Sequence, residues 1–319
     1  MTDVILHTDV PDPALRLARD RHPDLTFTGC DSYEALPDLV AQTGAEIVYS
    51  VRFAGTPGFP RAAVVESDLV KWVSVGGSGT DHLGHWDTTR VTVTNAAGVA
   101  AGMMAEYTIG ALLHFNLDLP GFRAAQVRQT WGGGPVRPIE GQTLLILGLG
   151  ATGQAIAKRA KAMGMHVTGM RARPQPTENV DTVITAQELD SALAKADAIA
   201  LCVPLLESTR GLLNAARIAR IKPGAVLVDV SRGGVVDQTA LALALAEGQL
   251  RGAALDVFEV EPLPAHSPFW AMGNVIVTPH CSSVYEGWAL KSVAMFCDNL
   301  NRWKAGDQLT NVVDPKRGY

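Results

Sequence analysis

The stretch TLLILGLGATGQAIAKRAKAM, residues 143–163, decides the fold. Leu144 to Leu147 is apolar and strand-like, and Gln154 to Met163 has helical character. Between them stand Gly148, Gly150 and Gly153. In that setting GxGxxG has a physical meaning. The first glycine permits a tight turn, the second lets a pyrophosphate approach the backbone, and the third lets the helix lie close to the strand. The N–H groups at the helix start, around Ala151, Thr152 and Gly153, then meet the phosphates. A merely glycine-rich turn is the plainer alternative. The strand before it and the helix after it argue for a dinucleotide site.

Outward from this stretch the chain alternates strand-like and helix-like segments. Upstream, DVILHT (3–8), EIVYSV (46–51), KWVSVGG (71–77) and VTVTNA (91–96) read as strands, and residues 13–21 as a helix. Downstream, the strand-like HVTGM, AIALCVP, AVLVDV, GAALDVF and NVIVTPH alternate with ELDSALAKA, AARIARIKPG and ALALALAEG. This predicts parallel α/β sheets, the second with at least six strands. Residues 98–116, apolar and rich in Ala and Met, read as a buried helix, with Glu106 as a buried structural acid near its start. WGGGPVRPIEG (131–141) and RARPQPTEN (171–179) read as loops.

Composition narrows the function. The 319 residues suffice for about two domains. A hydrophobic content of 47% fills large cores, and 18% charge leaves little for disordered tails. A net charge of −5 has the wrong sign for a general nucleic-acid or anionic-membrane surface, and 6% aromatics ill suit a base-stacking platform. No apolar run approaches the ~20 residues of a membrane span, and MTDVILHTDV lacks the basic start of a signal peptide. Cys30, Cys202, Cys281 and Cys297 form no CxxC pair, so a soluble, cytoplasmic protein is expected. His82 and His85 share a loop with no further ligand, and no metal is expected.

The strand-like segment 166–170 decides which dinucleotide binds. An NAD site places Asp or Glu at this strand's end for the ribose hydroxyls. Here stand Arg171 and Arg173, with no carboxylate before Glu178. Paired guanidiniums suit a 2′-phosphate, so NADP(H) is expected over NAD(H). The plainer alternative is two solvated loop arginines.

Three ionisable residues follow later strands: Arg232 in VDVSRGG, Glu261 in DVFEVEP and His280 in VTPH. Ligands of open α/β sheets bind outside the carboxyl ends of the strands, so the three are expected to converge on one crevice. Backbone N–H groups of residues 76–79 are a candidate anion nest. Arg52, after the second strand-like segment, is a candidate charge at the mouth of the site.

With GSGTDHL (77–83), NAAGVAAGMMAEY (95–107), SRGGVVD, GAALDVFEVEPLP, TPH and NVVDPKRGY (311–319), the chain resembles the D-isomer-specific 2-hydroxyacid dehydrogenase family over nearly its whole length. Within it the chain is similar to the NADP-dependent glyoxylate/hydroxypyruvate reductases. The resemblance implies that Arg232 holds the carboxylate and keto oxygen of a 2-keto acid, where its planar fork of donors fits. It makes His280 the general acid and Glu261 its partner, a carboxylate that favours the imidazolium. It puts Asp256 on the nicotinamide carboxamide, Pro204 among the cofactor contacts, and Ser78 and Gly79 on the substrate carboxylate.

The expected fold is two doubly wound parallel-sheet domains, Rossmann-like and flavodoxin-like. Residues 97–279 bind the cofactor, and residues 1–96 with 280–319 form the substrate-binding domain. The two crossings, near residues 95–98 and 279–280, are expected hinges, and the 98–116 helix an expected homodimer contact. Two features depart from the pattern. Leu206 stands where many relatives have Thr, and the acidic NAD residue is missing. Glu261 argues against the formate dehydrogenases, which carry Gln there. The implied reaction is NADPH-dependent reduction of glyoxylate or hydroxypyruvate. The alternatives are an NAD-dependent dehydrogenase of another 2-hydroxy acid and a nucleotide-sensing, corepressor-like binding protein.

Overall fold

The computed structural model describes residues 3–53, 56–315 and 317. Lys316, Gly318 and Tyr319 of the NVVDPKRGY stretch lie outside the described residues. Strands β1 (Asp3–His7), β2 (Thr26–Cys30), β3 (Ile47–Ser50), β4 (Trp72–Val75) and β5 (Thr92–Asn95) form a parallel sheet in the order β2-β1-β3-β4-β5. Helices α1 (Pro11–Arg21) and α2 (Leu36–Thr43) follow β1 and β2. Proline opens both helices, where its missing N–H costs nothing and its fixed φ suits the first turn.

The second sheet follows α3 (Ala101–Asn116) and α4 (Leu119–Val127). Its elements run β6 (Thr143–Leu147), α5 (Ala151–Ala162), β7 (His166–Met170), β8 (Thr182–Ile184), α6 (Leu189–Leu193), β9 (Ala198–Leu201), α7 (Ala215–Ile218), β10 (Val226–Asp229), α8 (Gln238–Ala246), β11 (Gly252–Leu255) and β12 (Val275–Val277). All seven strands are parallel, in the order β12-β11-β10-β9-β6-β7-β8. Helix α9 (Trp288–Ala305) then joins the first sheet, where Val293, Phe296, Cys297 and Leu300 pack with Val4, Leu6, Ile47 and Trp72.

Alternation along single strands explains the layering. Leu145 and Leu147 of β6 enter one apolar cluster, while Leu144 and Ile146 enter the other. In β1, Ile5 faces one cluster, and Val4 and Leu6 the opposite one. Each sheet therefore needs cover on both faces, which is the doubly wound arrangement. The compact units are Met1–Val99 with Tyr285–Tyr319, and Ala100–Val284. His280 thus belongs to the second unit. Among the described residues no helix is long and apolar enough to cross a membrane.

One expectation is corrected. Glu106 is not buried. Helix α3 buries Ala105, Thr108, Ile109, Leu112 and Phe115 on one face, and Glu106 lies off that face. There it pairs with Arg159 of α5 at 3.0 Å.

Candidate active site

The chain runs from β6 outward through β7 and β8, then returns to lay down β9 beside β6. The strand order reverses at β6/β9, the position where doubly wound sheets bind ligands. The glycine turn stands at the carboxyl end of β6. Gly148 has φ +106°, and a Cβ there would come within 2.9 Å of the Cys202 carbonyl. A Cβ at Gly153 would sit 1.9 Å from the Gly148 carbonyl oxygen. These two positions accept glycine alone, and they bring α5 against the turn. A Cβ at Gly150 would meet nothing within 4 Å, so the space beyond the helix start is open. Gly150 caps α5 without a side-chain bond, and Gln154 N is bonded to Gly150 O. The amides ahead of Gln154, those of Ala151, Thr152 and Gly153, have no partner within the helix. Open space above orphan N–H groups fits a dinucleotide's phosphates.

Arg171 immediately follows β7. It is half-buried, with Nη1 3.4 Å from the Thr177 hydroxyl. Arg173 is exposed in the same loop. Among the described residues neither forms an ion pair. Pro204 lies beyond β9, its carbonyl accepting from the Thr209 hydroxyl at 2.6 Å.

The ends of β10, β11 and β12 carry the remaining groups. A Cβ at Gly233 would lie 1.9 Å from the Phe258 carbonyl oxygen, so the turn holding Arg232 rests on the backbone of the Phe258 loop. Arg232 Nη1 donates to the Ser231 carbonyl at 2.7 Å. In the same Phe258 loop, Glu261 is held by its own backbone: Oε1 accepts from Phe258 N at 3.0 Å. Its Oε2 meets His280 Nδ1 at 2.9 Å. A carboxylate only accepts, so Nδ1 carries the hydrogen and Nε2 is the nitrogen able to exchange a proton. His280 itself has φ +53°.

Asp256 is only 1% exposed. Its Oδ1 accepts from the Thr278 hydroxyl at 2.6 Å and Cys281 N at 2.8 Å, and its Oδ2 from Ser282 N at 3.0 Å. Oδ2 keeps room for a further donor. Thr278 also bonds the Tyr107 hydroxyl of α3 at 2.9 Å. Asp229, equally buried, accepts from the Ser231 amide and hydroxyl at 2.9 and 2.5 Å. Burial raises its carboxyl to about 7, against those Ser231 bonds.

Tyr107, Thr278 and Asp229 have no role in the sequence reading. Asp229 carried a legible signal, an acid inside the apolar run AVLVDV.

In the first unit, Arg52 follows β3, and Ser78 and Gly79 follow β4. Asn95 Nδ2 donates to the Ser78 carbonyl at 2.7 Å, fixing that turn. A Cβ at Gly76 would strike the Tyr49 hydroxyl at 2.5 Å.

Residues 109–282 match the family model described as D-isomer specific 2-hydroxyacid dehydrogenase, NAD binding domain. The chain belongs to that family. It is 33% identical over 259 residues to D-3-phosphoglycerate dehydrogenase of Methanocaldococcus jannaschii, covering 80% of this chain and 49% of that protein. The chain therefore spans about half the length of that relative. A D-isomer specific 2-hydroxyacid dehydrogenase from Xanthobacter autotrophicus Py2, solved with NADPH and MES, is 30% identical with a TM-score of 0.86, over 100% of this chain and 99% of that one. An NADPH-dependent glyoxylate/hydroxypyruvate reductase from Sinorhizobium meliloti, solved with NADP and sulfate, is 26% identical with a TM-score of 0.84 over 100% of both chains.

Proposed function

We propose that this chain reduces a small 2-keto acid, with glyoxylate and hydroxypyruvate as first candidates, to the D-2-hydroxy acid with NADPH. The observation that carries the proposal is the His280–Glu261 couple at 2.9 Å, set at the carboxyl end of the sheet that also bears the glycine turn. The amides of Ala151 to Gly153 would hold the phosphates, and Arg171 and Arg173 the 2′-phosphate. The bound dinucleotide supplies the hydride.

The chain's own residues do the rest. The Arg232 fork binds the substrate carboxylate and polarises the keto oxygen. His280 Nε2 would give a proton to the keto oxygen, on which negative charge grows during reduction. Glu261, anchored by Phe258 N, keeps the hydrogen on Nδ1 and steadies the charged ring. In reverse, neutral His280 takes the hydroxyl proton. The NADPH complex of the Xanthobacter relative and the NADPH-dependent reductase activity of the Sinorhizobium relative support this choice of cofactor and substrate.

His280→Asn tests it, because Asn tolerates the left-handed backbone that His280 adopts. NADPH binding, read by fluorescence, should persist while turnover falls by roughly 10²- to 10⁴-fold. Turnover within about tenfold of wild type would remove His280 from proton transfer.

We further propose a homodimer. Helix α4 buries none of its residues and exposes Leu119, Phe122 and Val127, and Trp131 beyond it is fully exposed. Such apolar exposure within one short stretch of chain suits an association surface. Sedimentation should give a dimer for the wild type and a monomer for Phe122→Glu/Trp131→Arg. A monomeric wild type would contradict the dimer.

A further inference from the structure

We propose that Thr278 and Tyr107 are positioning residues for proton transfer, holding the backbone at His280 through the buried carboxylate of Asp256. The inference rests on the role proposed for His280.

A histidine in the left-handed region is uncommon and persists where its surroundings over-determine it. Here the determinants are on both sides of the residue. His280 N donates to the carbonyls of Asp256 at 2.9 Å and Thr278 at 3.0 Å. The next two amides, Cys281 N and Ser282 N, donate to the two carboxylate oxygens of Asp256. Two residues before His280, the Thr278 hydroxyl donates to Oδ1. One carboxylate thus grips the turn ahead of the histidine and behind it. Glu261 holds the ring while Asp256 holds the main chain that carries the ring.

The direction of the outer bonds follows from valence. The Asp256 carboxylate only accepts, and the Thr278 hydroxyl has one hydrogen, which goes to Asp256. The Tyr107 phenol must therefore be the donor to Thr278. Tyr107 stands 171 residues earlier in the chain, on α3. The chain Tyr107, Thr278, Asp256 ties the His280 turn to a long helix packed on the sheet. Bonds linked this way polarise one another, so the loss of the outer donor weakens the inner grip.

The test is kinetic. Thr278→Val removes the hydroxyl at nearly constant shape, Thr278→Ser restores it, and Tyr107→Phe deletes one oxygen. Wild type and variants are compared in kcat, KM for glyoxylate, Kd for NADPH, the pH profile of kcat and the thermal midpoint. Thr278→Val should lower kcat by about tenfold, as expected for one hydrogen bond to a charged group. Its Kd for NADPH should stay within about twofold, a difference too small to reflect a lost contact. The pH profile of kcat should change with it, because the turn sets the position of His280 Nε2, the proposed proton donor. Thr278→Ser should recover most of the kcat, and Tyr107→Phe should show the same pattern at about threefold.

A lower thermal midpoint with wild-type kcat and pH profile in both Thr278→Val and Tyr107→Phe would overturn the proposal and leave a structural role. If Thr278→Val does not fold, Tyr107→Phe carries the decision alone. His280→Asn separates the two levels. Retained turnover there sinks the proposed function itself, whereas a dead His280→Asn beside an unaffected Tyr107→Phe sinks only the positioning role.

Discussion

Asp229 closes β10 with 1% of its surface exposed, and Asp256 and Arg232 act on it electrostatically. Desolvation is the largest influence on it and outweighs the two Ser231 hydrogen bonds, raising the carboxyl from 3.8 to about 7. The folded state therefore binds more protons than the unfolded state between those two pH values. The stabilising contribution is fully present below pH 3.8 and is lost as pH rises through about 7. It amounts to a few kcal/mol, because each tenfold change in proton affinity is worth about 1.4 kcal/mol. His7, buried and lowered from 6.5 to about 4 chiefly by desolvation, acts in the opposite sense, losing stability as pH falls through that window. The difference between wild type and Asp229→Asn isolates the first effect. Denaturant unfolding at pH 4.5 and 7.5 should show Asp229→Asn gaining on the wild type at the higher pH. Equal changes in both proteins would refute it. At this scale the site was only partly legible in the sequence. Arg232, Glu261 and His280 each follow a strand-like run, and the family resemblance singles them out. Thr278 and Tyr107 are joined by a bond that only the folded backbone creates, between a helix and a turn far apart in the chain.

Among the elements, the two strands the sequence concealed are β2 and β8, and both are sheet edges. Central strands buried on both faces read as continuous apolar runs, as in TLLIL and AIAL. TFTGC and TVI begin with an exposed Thr, and β8 is only three residues long. Neither offers an apolar run long enough for the pattern to show. The turn after β7 was legible for the opposite reason: a missing carboxylate is visible without a structure. Replacing Arg171 by Asp and Arg173 by Ala removes the cationic pair and supplies a ribose acceptor. The ratio of kcat/KM for NADPH over NADH should invert in that double variant. An unchanged ratio would assign both arginines to solvent.

For the whole molecule, one construction is used in both units: a parallel sheet, a reversal of strand order, and helices on both faces. The chain leaves the first unit at Val99 and returns at Tyr285, so α9 completes the core beneath Trp72. The glycine turn, Arg232, Glu261 and His280 all belong to the second unit. One sheet thus bears both the glycine turn and the His280–Glu261 couple, so motifs spread over more than a hundred residues are available to one candidate site. The central claim is that this site reduces small 2-keto acids with NADPH. Its most direct test is the steady-state loss of NADPH, and separately NADH, by the purified protein with glyoxylate, hydroxypyruvate, pyruvate and phenylpyruvate. Fastest turnover is predicted for NADPH with the two small acids. No turnover with any acid and either cofactor, in a protein that binds NADPH, would contradict the claim.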